Sequence, residues 1–375
     1  MPGLKEVSNV WKNLREVDLR PIREAALKPV KIALVGAAGA GRHTLAGQMR
    51  IDPARPQMQT QTPLMIGDLK DPNWISGADL IILVIEATSK NTSREQSLAR
   101  EWIDSGKKVL VFVNKIDLLA HGQMLDDWTT WQVDHLVYAS AENPQSLLSN
   151  FVPVMLELLP DHLIPLARQF PLFRVPVSNH LINETCFSNA AYSLSTGLAG
   201  VVPALIVPMN LSDMVVLSKA QAFLVYKLGL SLGLSTEWRD YVAEFGSVVG
   251  SGFLWRQLAR QLIGLIPVWG IVPKVGVAYA GTYVVGHAVL KWYLTGKHLS
   301  PQQMRSFYLQ AFDRGKQVGS KLLQRAPRPR LLKRRTARLM PPTGFKNCMN
   351  CGKPNAEDAH FCQYCGQVLE SIEAG

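Results

Sequence analysis

Charge is scarce in this chain of 375 residues. Asp, Glu, Lys and Arg make up only 18% of it, against 47% hydrophobic residues, where soluble domains usually carry roughly 25% charge. So large an apolar share excludes a disordered chain, which lacks the hydrophobic surface to offset its entropy. Cysteine is scarcer still, and five residues exclude a disulfide-dense secreted scaffold. Residues 1–29 alternate charged and apolar side chains without an uncharged apolar core, so no secretory leader is read there. The expected location is cytoplasmic, not secreted. Acid is missing altogether from one stretch: Arg314 to Lys353 holds 12 basic residues and no Asp or Glu. Outside it the two signs nearly cancel, so the net charge of +11 belongs to one segment and not to the fold.

What is present divides into zones. Residues 1–29 carry Val10, Trp11, Leu14 and Val17 at helical spacing and read as an amphipathic lead-in. Residues 30–160 alternate apolar runs with polar helical stretches. The runs Lys31–Val35, Leu80–Ile85, Val109–Val113 and Leu136–Ala139 suit strands buried on both faces of a parallel sheet. That alternation predicts a doubly wound α/β domain with its ligand at the carboxyl ends of the strands.

Gly36, Gly39, Gly41, Arg42, His43 and Thr44 follow the first run and open a helix. The spacing is that of the phosphate-binding loop G-x-x-x-x-G-K-[ST]. Curled glycine amides and a helix N-terminus would cradle phosphate oxygens. Two side chains depart from the pattern. Arg42 replaces the lysine, and His43 stands where a hydroxyl would ligate Mg²⁺, a cation that prefers oxygen. A turn that serves only packing is the alternative. A second signal lies after the run Val109–Val113: Asn114, Lys115 and Asp117 form N-K-x-D. A carboxylate there can accept two hydrogen bonds from guanine, a donor pair that adenine lacks. Ser140 and Ala141 follow the next run and offer a backbone amide to the guanine oxygen.

On these residues, with Ala78-Asp79-Leu80 at the start of a strand, residues 30–160 resemble the Era-like branch of the P-loop GTPases. The resemblance implies a P-loop doubly wound, mostly parallel sheet, GTP or GDP binding with Mg²⁺, and slow or stimulated hydrolysis. The family's D-x-x-G has no full counterpart: Gly67-Asp68-Leu69-Lys70-Asp71 stands in its place. Of switch threonines only Thr60 and Thr62 are at hand. The base-reading half is intact and the hydrolytic half eroded, so the reading is a nucleotide-binding or pseudo-GTPase module with no catalytic residue named.

Residues 161–300 turn apolar. Thr185–Ser212 has no charge, and Gln261–Pro273 and Val275–Leu290 are split only by Lys274. Pro208-x-x-x-x-Asp213, Gln221 and Ile266-Pro267-Val268-Trp269-Gly270 resemble the YcjF-type domain of unknown function that follows Era-like domains in bacterial proteins. The resemblance implies an all-α hydrophobic domain with membrane association. From the residues alone, a buried soluble bundle and membrane embedding both stand. Gly276, Ala280 and Gly281 would pair one apolar stretch with the other, and a helix is expected over Asp213–Leu232, packed through Val216, Ala220, Phe223 and Leu224.

Residues 301–343 read as a basic linker, extended by Pro327, Pro329, Pro341 and Pro342. It suits anionic lipid headgroups or RNA phosphates; a linker without partner is the plain alternative. Residues 344–368 hold Cys348-x-x-Cys351-Gly352 and Cys362-x-x-Cys365-Gly366, and residues 369–375 form a tail. Four thiolates can enclose Zn²⁺ in a tetrahedron, and the tail resembles a compact zinc ribbon. Disulfides or a redox pair are the alternative. Cys186 reads as a buried apolar residue. The whole is a guanine-nucleotide-binding, membrane-associated regulator with a structural zinc ribbon. A ribosome- or RNA-associated assembly factor and a nucleotide-free membrane scaffold are the other readings, and the protein partner is open.

Overall fold

Runs of Val, Ile and Leu build the central sheet. The computed structural model describes residues 19–69, 72–119, 131, 133, 135–199, 211–237, 240, 271–325, 345–357 and 359–369. The chain separates into an α/β unit, Ala25–Val177 with Ser231–Gly233, and a helical unit, Met1–Glu24, Ser178–Leu230 and Leu234–Gly375, that includes the cysteine-rich end. In chain order the first part runs α1 (Arg20–Leu27), β1 (Ile32–Gly36), α2 (Arg42–Met49), β2 (Ile51–Asp52), β3 (Arg55–Gln59), β4 (Met65–Gly67) and β5 (Leu80–Glu86). It continues with α3 (Ser93–Asp104), β6 (Val109–Asn114), β7 (Leu136–Tyr138), α4 (Pro144–Leu158) and α5 (Leu163–Gln169).

The sheet order is β4-β1-β5-β6-β7, and every neighbouring pair is parallel. The four expected strands are present within a residue or so of their bounds. Alternate residues serve opposite faces. Val35, Ile81, Leu83, Val111 and Val113 pack with Trp102 of α3 on one face. On the other, Phe112 meets Phe151 of α4 edge-on at 5.3 Å, with Phe173 at 6.0 Å from Phe151. The sequence reading gives no strand to Met65–Gly67, too short for a pattern of its own, and β1 recruits it as a sheet neighbour. The α/β unit also runs past residue 160, because Leu166, Phe170 and Phe173 are buried within it and Gln169 Oε1 accepts the Val30 amide at 2.9 Å. From β1 the chain passes to β4 on one side and then to β5 on the other. The carboxyl end of β1 is therefore the switch point where doubly wound sheets open a ligand crevice.

The helical unit draws on α6 (Arg174–Ala199), α7 (Leu211–Ser231), α8 (Ile271–Thr295) and α9 (Pro301–Arg325). Helix α7 forms as expected and buries Val216, Ala220, Phe223 and Leu224. Small residues set how closely the helices approach. A Cβ on Gly286 of α8 would lie 2.7 Å from Ile182 of α6, and one on Gly315 of α9 would lie 3.0 Å from the Gly276 Cα. Gly276 thus lies against α9, where a Cβ would meet Phe312 at 2.8 Å. Asn189 donates to the Thr282 hydroxyl at 2.8 Å across α6 and α8, both residues buried. Cys186 is fully buried, and burial pushes its thiol well up.

The linker expected over 301–343 is a helix as far as Arg325. The prolines that suggest an extended chain all lie beyond it, and Pro301 occupies the helix's first position, where its missing N–H costs nothing. Met304, Tyr308, Ala311 and Leu322 make its buried stripe. Burial pushes the Tyr308 phenol up to about 12. Among the described residues no single helix is long and apolar enough to cross a membrane. One bent pair, Pro144–Leu158 with Pro160–Gln169 at 97°, has the length and composition together, but its Phe151 packs on the sheet. The apolar residues 200–210 and 241–270, with Ile266–Gly270 and Pro208, lie outside the described residues. So do Val10, Trp11, Leu14 and Val17, the basic run 326–344 and the tail 370–375. The chain ends in the hairpin β8 (Phe345–Asn347) and β9 (Pro354–Ala356).

Candidate functional sites

Three loops leave the carboxyl edge of the sheet side by side. The first joins β1 to α2. Gly39 and Gly41 have φ of 83° and 97°, left-handed values that favour glycine. A Cβ on Gly36 would collide with the Val84 carbonyl of β5, and one on Gly41 with the Asn114 side chain, whereas nothing lies within 4 Å of one on Gly39. Ala37, Ala38, Gly39, His43 and Thr44 are exposed. The first amides of α2 have no partner inside the helix, so this loop presents donors to solvent. Arg42 does not lie along the loop: its guanidinium donates to the Gly67 carbonyl at the end of β4. Asp68 follows directly. Arg94 holds the same segment from α3, donating to the Leu69 carbonyl at 2.8 Å.

The second and third loops follow β6 and β7 and are joined to the first by one side chain. Asn114 is buried. Its amide donates to the Ala40 carbonyl at 2.8 Å, and its oxygen accepts the Ala141 amide at 2.8 Å. Lys115 adopts φ 62° and pairs with Glu86 at the end of β5, Nζ to Oε2 3.1 Å. The Thr88 hydroxyl on the other oxygen (2.8 Å) and Lys115 hold the Glu86 carboxyl below its usual range. Asp117 sits exposed on the single turn Ile116–Leu118. The Ser140 amide is taken by the Ser146 hydroxyl at 3.1 Å. Both amides that the sequence offers to a guanine oxygen are therefore engaged within the protein, while the Asp117 side chain is exposed. All eleven proposed nucleotide residues lie at this one edge.

A Mg²⁺ site does not fit these residues. His43 supplies an imidazole where a hydroxyl is needed. The Thr62 hydroxyl donates to the Gln169 carbonyl at 2.5 Å, and the Thr60 hydroxyl turns to the Arg50 carbonyl at 3.4 Å.

The second site is the cysteine cluster. The Sγ atoms of Cys348, Cys351, Cys362 and Cys365 all lie within 4.8 Å of one another. The pairs Cys348–Cys365 and Cys351–Cys362 stand at 3.5 Å. Tetrahedral Zn–S bonds of ~2.3 Å give edges of about 3.8 Å, so the set fits zinc. Each pair ends in a matching turn: Gly352 and Gly366 have φ 68° and 78°, and their amides donate back to the Cys348 and Cys362 carbonyls at 2.8 Å. Contact with the Cys351 thiol, then burial, pushes the Cys362 thiol up; burial does so for Cys365. Such crowding favours protonated thiols until a cation takes the protons' place. Asn355, fully buried, is the residue sequence reasoning missed. Its amide reaches Cys362 Sγ at 3.5 Å, and its oxygen accepts the Gln363 amide at 3.0 Å. Its place between the two cysteine pairs is the only sequence signal it gives.

A family model described as a zinc-ribbon domain matches residues 347–369. No curated protein matches the chain. The C-terminal segment is a zinc ribbon with four cysteines placed to hold a metal.

Proposed function

We propose that the protein is a guanine-nucleotide-binding, membrane-associated regulator, its α/β unit an Era-like P-loop domain and its C-terminal ribbon a structural zinc site. Asn114 carries the nucleotide reading. One buried amide ties the phosphate-type loop after β1 to the loops after β6 and β7, so a diphosphate at Gly36–Thr44 and a base at Asp117 would share one rim. Binding is the activity proposed, not hydrolysis. Thr60 and Thr62 are held by backbone carbonyls, and Arg42 and Arg94 fasten the Gly67–Leu69 segment. With no hydroxyl at residue 43 and Arg42 turned to the Gly67 carbonyl, the diphosphate is held without Mg²⁺, by the loop amides and the helix N-terminus. Calorimetry on the full chain tests this. GDP and GTP give saturable binding that persists in EDTA, ATP gives none, and Asp117→Ala abolishes it. Absence of saturable GDP or GTP binding at millimolar nucleotide, with or without Mg²⁺, rejects the reading.

The membrane part rests on composition. The run 326–344 is basic and acid-free, and the stretches 200–210 and 241–270 are rich in apolar residues. Basic residues near an anionic surface contribute ~1 kcal/mol each. The protein is expected at the cytoplasmic face, floating with anionic vesicles and not with neutral ones; recovery wholly in the soluble fraction at low salt removes this part. RNA as the target of the basic run would appear instead as RNase-sensitive co-sedimentation with ribosomal particles.

A further inference from the structure

The ribbon lies against the helical unit, and the contacts are specific. The Ala356 amide donates to the Ser188 hydroxyl at 3.2 Å, and the Tyr364 hydroxyl donates to the Ser188 carbonyl at 3.5 Å. Phe345 stacks on Phe187 at 5.3 Å and 12°, and Tyr364 meets Tyr192 at 5.2 Å. Two lysines cross the interface in opposite directions. Lys353 of the ribbon sits 5.7 Å from the Tyr192 ring and 5.2 Å from that of Tyr364. Lys227 of α7, only 4% exposed, sits 5.7 Å from the ribbon's Phe361. Two of the ligands, Cys348 and Cys362, share one buried cluster with Tyr192, Val216, Leu217 and Ala278, which belong to α6, α7 and α8.

The ribbon has two strands of three residues each, and its Ala356, Ala359, Tyr364 and Leu369 share their buried cluster with the helices. Segments this small take most of their folding energy from the metal. The residues that dock are those the knuckles aim. Lys353 follows Gly352, and Tyr364 lies between Cys362 and Cys365. Remove the metal, and nothing fixes Tyr364 over Ser188 or Phe361 under Lys227. On the helical side this uncovers two aromatic rings and a buried lysine.

We propose that the zinc ribbon is an intramolecular clamp: metal bound by its four cysteines fastens α6, α7 and α8 together, and metal loss loosens the helical unit as well as the ribbon. The crossing contacts named above are apolar, hydrogen-bonded and cation–π.

Hydrogen exchange on the full chain tests it, with and without a zinc chelator. Chelation speeds exchange by about tenfold or more in residues 187–193 of α6 as well as in 345–369. A rise confined to 345–369 overturns the proposal. Tyr364→Ala separates docking from metal binding: it retains one zinc per chain and still speeds exchange in α6. Full α6 protection in that variant also overturns it. Should Tyr364→Ala lose its zinc, Tyr192→Ala, outside the ribbon, replaces it. That variant must keep the metal and speed exchange across Phe345–Ala356, and unchanged exchange there rejects the clamp.

Discussion

Gly39 and Gly41 occupy the same loop in the same left-handed region and differ in their surroundings. Beside Gly39 there is open space; beside Gly41 stands the Asn114 amide. Gly39→Ala is therefore expected to cost about 1 kcal/mol, the backbone penalty alone. Gly41→Ala adds a collision that displaces Asn114 and its two buried hydrogen bonds, for a total of about 3 kcal/mol. Hydrogen exchange of the β1 and β6 amides in the two variants reads the difference. Equal costs would mean that Asn114 yields without loss and does not hold the rim. Residues of this kind are legible in sequence because the constraint is local: a positive φ favours glycine, and the motif spacing records it. The engagement of the Ser140 and Ala141 amides is not legible, since it depends on which side chains from β6 and α4 arrive beside them.

Among the elements, the α8–α9 pair separates what periodicity reveals from what composition hides. Charge and downstream prolines make residues 301–343 read as a solvated linker. The stripe Met304, Tyr308, Ala311, Gly315, Gly319 and Leu322 nevertheless recurs every three or four residues, the signature of a helix face. Counting charge across the whole stretch conceals that period. Likewise β4 has only three residues and exists because β1 offers it a parallel edge, which no local pattern encodes. The helix pair also yields a matched test. Gly315→Ala gains helix propensity of up to ~1 kcal/mol, but its Cβ would lie 2.7 Å from the Tyr279 Cβ and 3.0 Å from the Gly276 Cα. One contact is backbone, so the helices must part, and a net loss of about 1–2 kcal/mol is expected. Gly281→Ala sits in the same hairpin with nothing within 4 Å and should stabilise by about 0.5–1 kcal/mol. Thermal unfolding of the full chain distinguishes the two by sign, and stabilisation by both would show that α8 and α9 are not closely packed there.

For the molecule as a whole, acid is the condition that acts on both units, through one half-buried histidine in each. His162 ends the short turn Pro160–His162 of the α/β unit, and its Nδ1 is buried without a hydrogen-bond partner. Burial lowers its pKa; Asp79 and Asp161 oppose the shift, and Lys28 and Lys108 add to it. His287 of the helical unit lies 4.2 Å from the Tyr283 ring and 5.5 Å from that of Phe307, and burial lowers it too. A histidine depressed in the folded state binds fewer protons there than in the unfolded chain. Its contribution is complete above the unfolded pKa of about 6.5 and is lost as pH falls from there through the folded value. Urea unfolding should therefore require less denaturant at pH 5.5 than at pH 7.5, and exchange measured by segment should register the loss in both units. His162→Gln flattens the profile of the α/β unit. His287→Gln leaves a residual slope in the helical unit, because protons also compete with zinc for the four thiolates and the ribbon lies against α6, α7 and α8. If His287→Gln removes the entire acid dependence of that unit, metal occupancy contributes nothing to its stability, and the ribbon is a passenger on the bundle.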